Sequence, residues 1–202
     1  MSKNAQGAVA AARPARSMTT KTLAYSALLA ALSVVFARLI IPMPNVTTRF
    51  SVEAVPIFLA GALFGPLTGG LVGFAADLVG CLFSGYGYNP IFCIPPILYG
   101  VSAGLFRFYL AKKPNVLRIA LAFLPAILLG SILCQSAALS YVYNSKGSFS
   151  ASFAYFLTTR SIQFAVTFVI DTLLVSLLFK TKLFERAGVF PPKRRKADDD
   201  AE

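Results

Sequence analysis

Between Glu53 and Phe83 the chain reads "EAVPIFLAGALFGPLTGGLVGFAADLVGCLF", with Asp77 the one charge inside it. An apolar helix crosses a bilayer in about 20 residues, so this run is too long for one span. The "FGPLTGG" in its middle divides it into two, 51–64 and 67–83. A chain obliged to bury two adjacent apolar helices joined by a tight turn is committed to a helical membrane fold. Four further runs meet the same criterion: "TLAYSALLAALSVVFARLII" (22–41), 92–111, 117–142 with Pro125 inside it, and 152–179. The expected fold is therefore all-α, with six transmembrane helices. Hydrophobic residues are 56% of the chain, charged residues 13%, and mean hydropathy is +0.69, too little charge to cover a soluble domain.

Where the charges fall sets the orientation. Arg13, Arg16 and Lys21 precede the first span, Lys112, Lys113 and Arg118 join the fourth to the fifth, and Lys180, Lys182 and "KRRK" follow the sixth. With six spans these clusters share one side, which predicts cytoplasmic N- and C-termini. The net charge of +11 is thus loop charge, and no nucleic-acid-binding face is expected. Residues 1–21 read as a disordered basic cytoplasmic segment without the apolar core of a signal peptide, 22–180 as the six-helix domain, and 181–202 as a polar cytoplasmic tail.

Spacing suggests how the helices meet. Gly61, Gly65, Gly69 and Gly73 recur every four residues, and Gly100 and Gly104 repeat the interval, a pattern that lets helices approach closely. Ala24, Ala27 and Ala31 form a small-residue stripe in the first span; spacing alone leaves internal packing, the commoner use, and docking of a partner both open. Cys81, Cys93 and Cys134 are scattered among apolar segments, as packing thiols are.

Catalytic chemistry is not apparent. The chain has no histidine, no metal-ligand cluster and no G-x-x-x-x-G-K-[ST] loop, so no enzyme activity, metal or cofactor is expected. Intramembrane charges carry the information, because each is costly and needs a partner or a task. Asp77, near the middle of span three, and Asp171, in the inner half of span six, fit hydrogen bonding to neighbouring helices; Arg107 can snorkel to the inner surface. Arg38, Arg49 and Arg160 map instead to the outer half, against the orienting bias. Guanidinium groups recognise carboxylates in a two-pronged way. Phe50, Tyr86, Tyr88, Asn89 and Gln163 supply aromatic and amide groups suited to a flat heterocycle. The bland alternative has Arg38 and Arg49 snorkelling to headgroups and Arg160 paired with Glu53. The expectation is transport of an anionic, partly aromatic small molecule. The chain is short for a secondary transporter and lacks duplicated halves, which suggests a binding subunit energised by others.

Three pieces carry a family resemblance: the span "AYSALLAAL", the stretch "RFSVEAVPIFLAGALFGPLTGGLVGFAADLVG", and the later "TTRSIQF". Together, over residues 22–180, they resemble the substrate-binding S components of energy-coupling factor (ECF) vitamin transporters, of the folate type. That resemblance implies a six-helix subunit of the bacterial plasma membrane that binds its vitamin near the outer face. It implies partnership with a T component and two ATPase subunits, which use the ATP. It also implies that Ala27 and Ala31 belong to an Ala-x-x-x-Ala docking motif. The pterin would lie among Tyr86, Tyr88, Asn89 and Phe50, and the glutamate carboxylates would meet Arg49, Arg160 or Arg38. The loop before span four, "GYGYNPIFCIPP", departs from the family's Phe-Pro-Gly-Phe-Thr. An S component for biotin, pantothenate, riboflavin or thiamine is therefore the nearest alternative. A membrane-embedded lipid enzyme or a purely structural subunit is more remote.

Overall fold

The computed structural model describes residues 19–38, 41–42, 49–50, 52–84, 89–112, 115–143, 149–181 and 184. They form a helical bundle. Helix α1 (Thr20–Arg38) is followed by a two-residue antiparallel ladder, β1 (Ile41–Pro42) with β2 (Arg49–Phe50), pairing Ile41 with Phe50 and Pro42 with Arg49. Then come α2 (Ala54–Phe64), α3 (Pro66–Ser84), a 3-10 turn (Pro90–Cys93) running into α4 (Ile94–Leu105), and α5 (Arg107–Lys112). Helix α6 (Val116–Pro125), a π-helical stretch (Ala126–Cys134) and α7 (Gln135–Tyr143) are continuous, and α8 (Phe149–Lys180) closes the bundle.

Four helical runs are long and apolar enough to cross a membrane: Thr20–Arg38, Pro66–Phe83, Val116–Val142 and Phe149–Lys180. The other two expected spans are shorter, Ala54–Phe64 and Pro90–Leu105. Helix α2 rises only about 16 Å, half a hydrocarbon core. Its lower end is set by Gly65, whose φ of 105° is a left-handed conformation that glycine adopts without strain, and by Pro66, which opens α3. Its upper end is set at Glu53, which takes the N-cap position without a side-chain cap bond.

Two other breaks have local causes. The fourth span is interrupted at Phe106, where φ −85° and ψ 4° leave the helical region. Arg107 then begins α5 and donates from Nη2 to the Leu63 carbonyl oxygen at 3.3 Å. A cation at the C-terminus of α2 complements its dipole. In the fifth span Pro125 has no N–H to donate and its ring crowds the preceding turn. The chain beyond it is π-helical, and the Gln135 N–H bonds the Gly130 carbonyl, five residues back.

Helix α2 is buried from Ala54 to Leu63 on every side, which is why it is apolar all round. Phe58 stacks on Phe123 with centroids 3.9 Å apart, and Tyr99 meets Phe123 edge-on. The regular glycines make the α2–α3–α4 seam. A Cβ at Gly61 or Gly69 would fall on the Gly100 carbonyl oxygen, one at Gly73 on that of Pro96, and one at Gly104 on the Pro66 backbone. Internal packing is thus what that spacing serves. Leu71, Leu82, Ile162, Val169 and Leu177 point outward, as lipid-facing residues do. The three cysteines remain thiols.

Candidate functional site

The bundle's upper end is the one where α1 and α3 finish and α2, α4 and α8 begin. Arg38 near the end of α1 donates to the Gly80 carbonyl near the end of α3 at 2.8 Å, and Ser33 donates to the Glu53 carbonyl at 2.8 Å. Because α2 is half-height, its first residue stands at mid-depth. The chain before it returns from the β1–β2 ladder, which ends only three residues short of Glu53.

Helix α8 faces this interior with a polar stripe. Arg160, Gln163, Thr167 and Asp171 are all buried. At 100° per residue they fall within about 80° of arc, and the stripe descends about 16 Å from Arg160 to Asp171. The Arg160 guanidinium lies 5.8 Å from the centroid of the Phe164 ring, one turn on, which holds its plane against an aromatic face. Thr167 returns its hydroxyl to the Gln163 carbonyl at 3.1 Å. At the lower end Asp171 is 1% exposed, and neither carboxylate oxygen has a hydrogen-bond partner among the described residues. Glu53 and Tyr99 lie within electrostatic reach of it. The Tyr99 hydroxyl and Ser131 Oγ share a buried hydrogen bond of 2.8 Å.

The residues singled out from sequence are therefore distributed. Arg160 and Gln163 are brought together, one turn apart. Asn89 is half-buried at the upper end, where its Oδ1 accepts from the Ile91 N–H at 3.1 Å and caps the 3-10 turn; its NH2 is the part left to meet a ligand. Arg49 and Phe50 are placed by their backbone in β2, their side chains lying outside the described atoms, as Tyr86 and Tyr88 do entirely. Arg38 is exposed, on the α1–α3 flank of α2, whereas α8 packs on α2, α6, the π-helical stretch and α7. With Glu53 and Asp77 it lines a small polar cavity of about 100 Å³. Asp77 thus faces a cavity rather than lipid. Ala24, Ala27 and Ala31 lie on the exposed face of α1, with Leu28 and Val35 beside them. Internal packing does not explain that stripe.

Sequence reasoning missed Thr167 and the Tyr99–Ser131 pair, and it did not join Asp171 to Arg160. The i, i+3, i+7, i+11 spacing on one helix was the available signal. Among the described residues no three Cys, Asp or Glu side chains are grouped to hold a metal.

The family described as "ECF-type riboflavin transporter, S component" matches residues 17–180. The folate transporter FolT of Clostridium novyi (strain NT) is 35% identical over 100 residues, 48% of this chain and 56% of that protein, so the match spans about half of the relative. A crystal structure of FolT bound with folic acid superposes with a TM-score of 0.66 at 31% identity, over 79% of this chain and 93% of that one. The S-component for biotin from an ECF-type ABC transporter superposes at 0.57 over 81% and 95%, with 21% identity, a likeness of fold alone.

Proposed function

Because the chain belongs to the S-component family of ECF-type riboflavin transporters, we propose that it is the substrate-binding membrane subunit of an ECF transporter and that its substrate is folate. The observation that carries the choice of folate is the likeness, at 31% identity over 93% of its length, to a FolT crystallised with folic acid. The chemistry of the site agrees with it. Arg160, buried and braced by Phe164, suits a glutamate carboxylate, with Gln163 beside it. Arg49, Phe50, Tyr86, Tyr88 and Asn89, from the segments that precede α2 and α4, complete the candidate binding residues, with Arg38 beside them. Six helices span the plasma membrane with both termini cytoplasmic, α2 and the Pro90–Lys112 run counting as its two short members. The upper end then faces outward and takes the vitamin from outside. Ala27 and Ala31 dock the T component, and two ATPase subunits supply the energy, so this chain carries no nucleotide and no cofactor of its own.

Riboflavin is the second reading, favoured by the description of the family itself. The chain purified in detergent without added vitamin should retain folate, identified by absorbance and mass. Folic acid titrated calorimetrically should bind, and Arg160→Ala should weaken it about 10- to 100-fold, the worth of a charged hydrogen-bonded contact. Retained flavin, or unchanged folic acid affinity in Arg160→Ala, would refute the respective assignment.

A further inference from the structure

Asp171 stands out because a buried carboxyl whose two oxygens have no hydrogen-bond partner among the described residues is among the costliest groups a membrane helix can carry. It is on the same stripe as Arg160, about 16 Å deeper along α8. Two acceptors side by side at the foot of a site, and a guanidinium at its mouth, describe a ligand with a pair of donors at one end and an acid at the other. A pterin has that pair, the N3–H and the 2-amino group, which lie in one plane and meet a carboxylate two-pronged. Folate has its carboxylates at the far end, and stretched between pteridine and glutamate its length is comparable with the stripe. Resting on the folate reading, we propose that Asp171 is the specificity-determining residue for the pterin ring, accepting from its N3–H and 2-amino group while Arg160 holds the glutamate.

The arrangement explains orientation as well as choice. A dicarboxylate tail is drawn to Arg160 at the upper end of the stripe, which leaves the pterin to go in first. It also separates the two vitamins the family and its relatives bring forward. The corresponding edge of riboflavin sets one N–H between two carbonyls, so it cannot present Asp171 with two adjacent donors. Gln163 and Thr167, between the two ends, are the side chains a bound ligand must turn aside or hydrogen-bond.

The test uses the full chain in detergent, wild type and Asp171→Asn, titrated with folic acid, 2-desamino-2-methylfolic acid and p-aminobenzoylglutamate. Wild type should bind the desamino analogue about 10- to 100-fold more weakly than folic acid. Asp171→Asn should weaken folic acid by a similar factor, cost the analogue little more, and leave p-aminobenzoylglutamate unchanged. Equal affinity of wild type for folic acid and its desamino analogue overturns the assignment even if the variant does not fold. So does full folic acid affinity in Asp171→Asn. Wild type that binds riboflavin and no folic acid fails earlier, on the folate reading itself.

Discussion

Replacing Gly69 by alanine tests the frame on which the site is built, and Gly80 on the same helix provides the opposite sign. A Cβ at Gly69 would fall on the Gly100 carbonyl oxygen, with the Gly61 Cα at 2.5 Å and the Gly100 carbonyl carbon at 2.8 Å. All three are backbone, so no side chain can swing away and α2, α3 and α4 must part. Overpacking of this kind costs ~1–3 kcal/mol. The change from glycine to alanine inside a helix returns ~0.5–1 kcal/mol. The net is a loss of up to about 2.5 kcal/mol, or a midpoint lower by as much as several degrees at roughly 2–4 °C per kcal/mol. At Gly80 nothing lies within 4 Å of the added Cβ, so Gly80→Ala keeps only the gain and should raise the midpoint by about 1–3 °C. Unfolding can be followed with a thiol-reactive fluorophore in a Cys81→Ala/Cys134→Ala background, so that only Cys93, 3% exposed, reports. Shifts of the same sign and size at Gly69 and Gly80 would refute a backbone-to-backbone seam.

Two further outcomes follow from the geometry. Tyr99→Phe and Ser131→Ala should each destabilise by about 1–3 kcal/mol by stranding the other buried hydroxyl, and together by less than their sum, with a coupling of ~0.5–1.5 kcal/mol in thermal melts. Additive single effects would mean that the 2.8 Å contact contributes nothing. Ala27→Trp and Ala31→Trp, on the exposed face of α1, should leave melting and folic acid binding unchanged but abolish co-purification with the T component and ATPases. A complex that survives both would place docking elsewhere.

The sequence made some of this legible and left the rest hidden for physical reasons. The run from Glu53 to Phe83 had to break at Gly65–Pro66, and it does; the four-residue glycine interval had to bring backbones together, and Gly61, Gly69 and Gly100 do. Arg160 was conspicuous because charge is rare in a span. The span expected at 51–64 is already short, and α2 starts three residues later still, at Ala54, because the stretch before it carries Thr47, Thr48, Arg49, Ser51 and Glu53 and does not extend the apolar run. Pro125 marked a distortion without saying that nine π-helical residues would follow, because a proline relaxes equally by kinking. Tyr99 and Ser131 gave no signal, as hydroxyls in apolar helices usually satisfy themselves on their own backbone, the way Ser140 bonds the Ser136 carbonyl.

The unequal helix lengths do more than complicate the span count. From Gly65, α2 lifts Glu53 about 18 Å; from Lys180, α8 reaches Asp171 at about 14 Å and continues beyond it to Arg160 and Phe149. The two acids therefore meet near mid-depth, with the Phe58–Phe123 stack and the glycine seam filling the half below them. That lower half is close-packed along α2, and a ligand would have to break backbone contacts to enter it. Above Glu53 helix α2 has ended, while α8 continues upward with Gln163 and Arg160 buried. A ligand taken from the upper end would meet Arg160 and Gln163 before it reaches Asp171. If Asp171 reads the pterin edge, the order along that helix, arginine above and aspartate below, sets which end of folate goes in first.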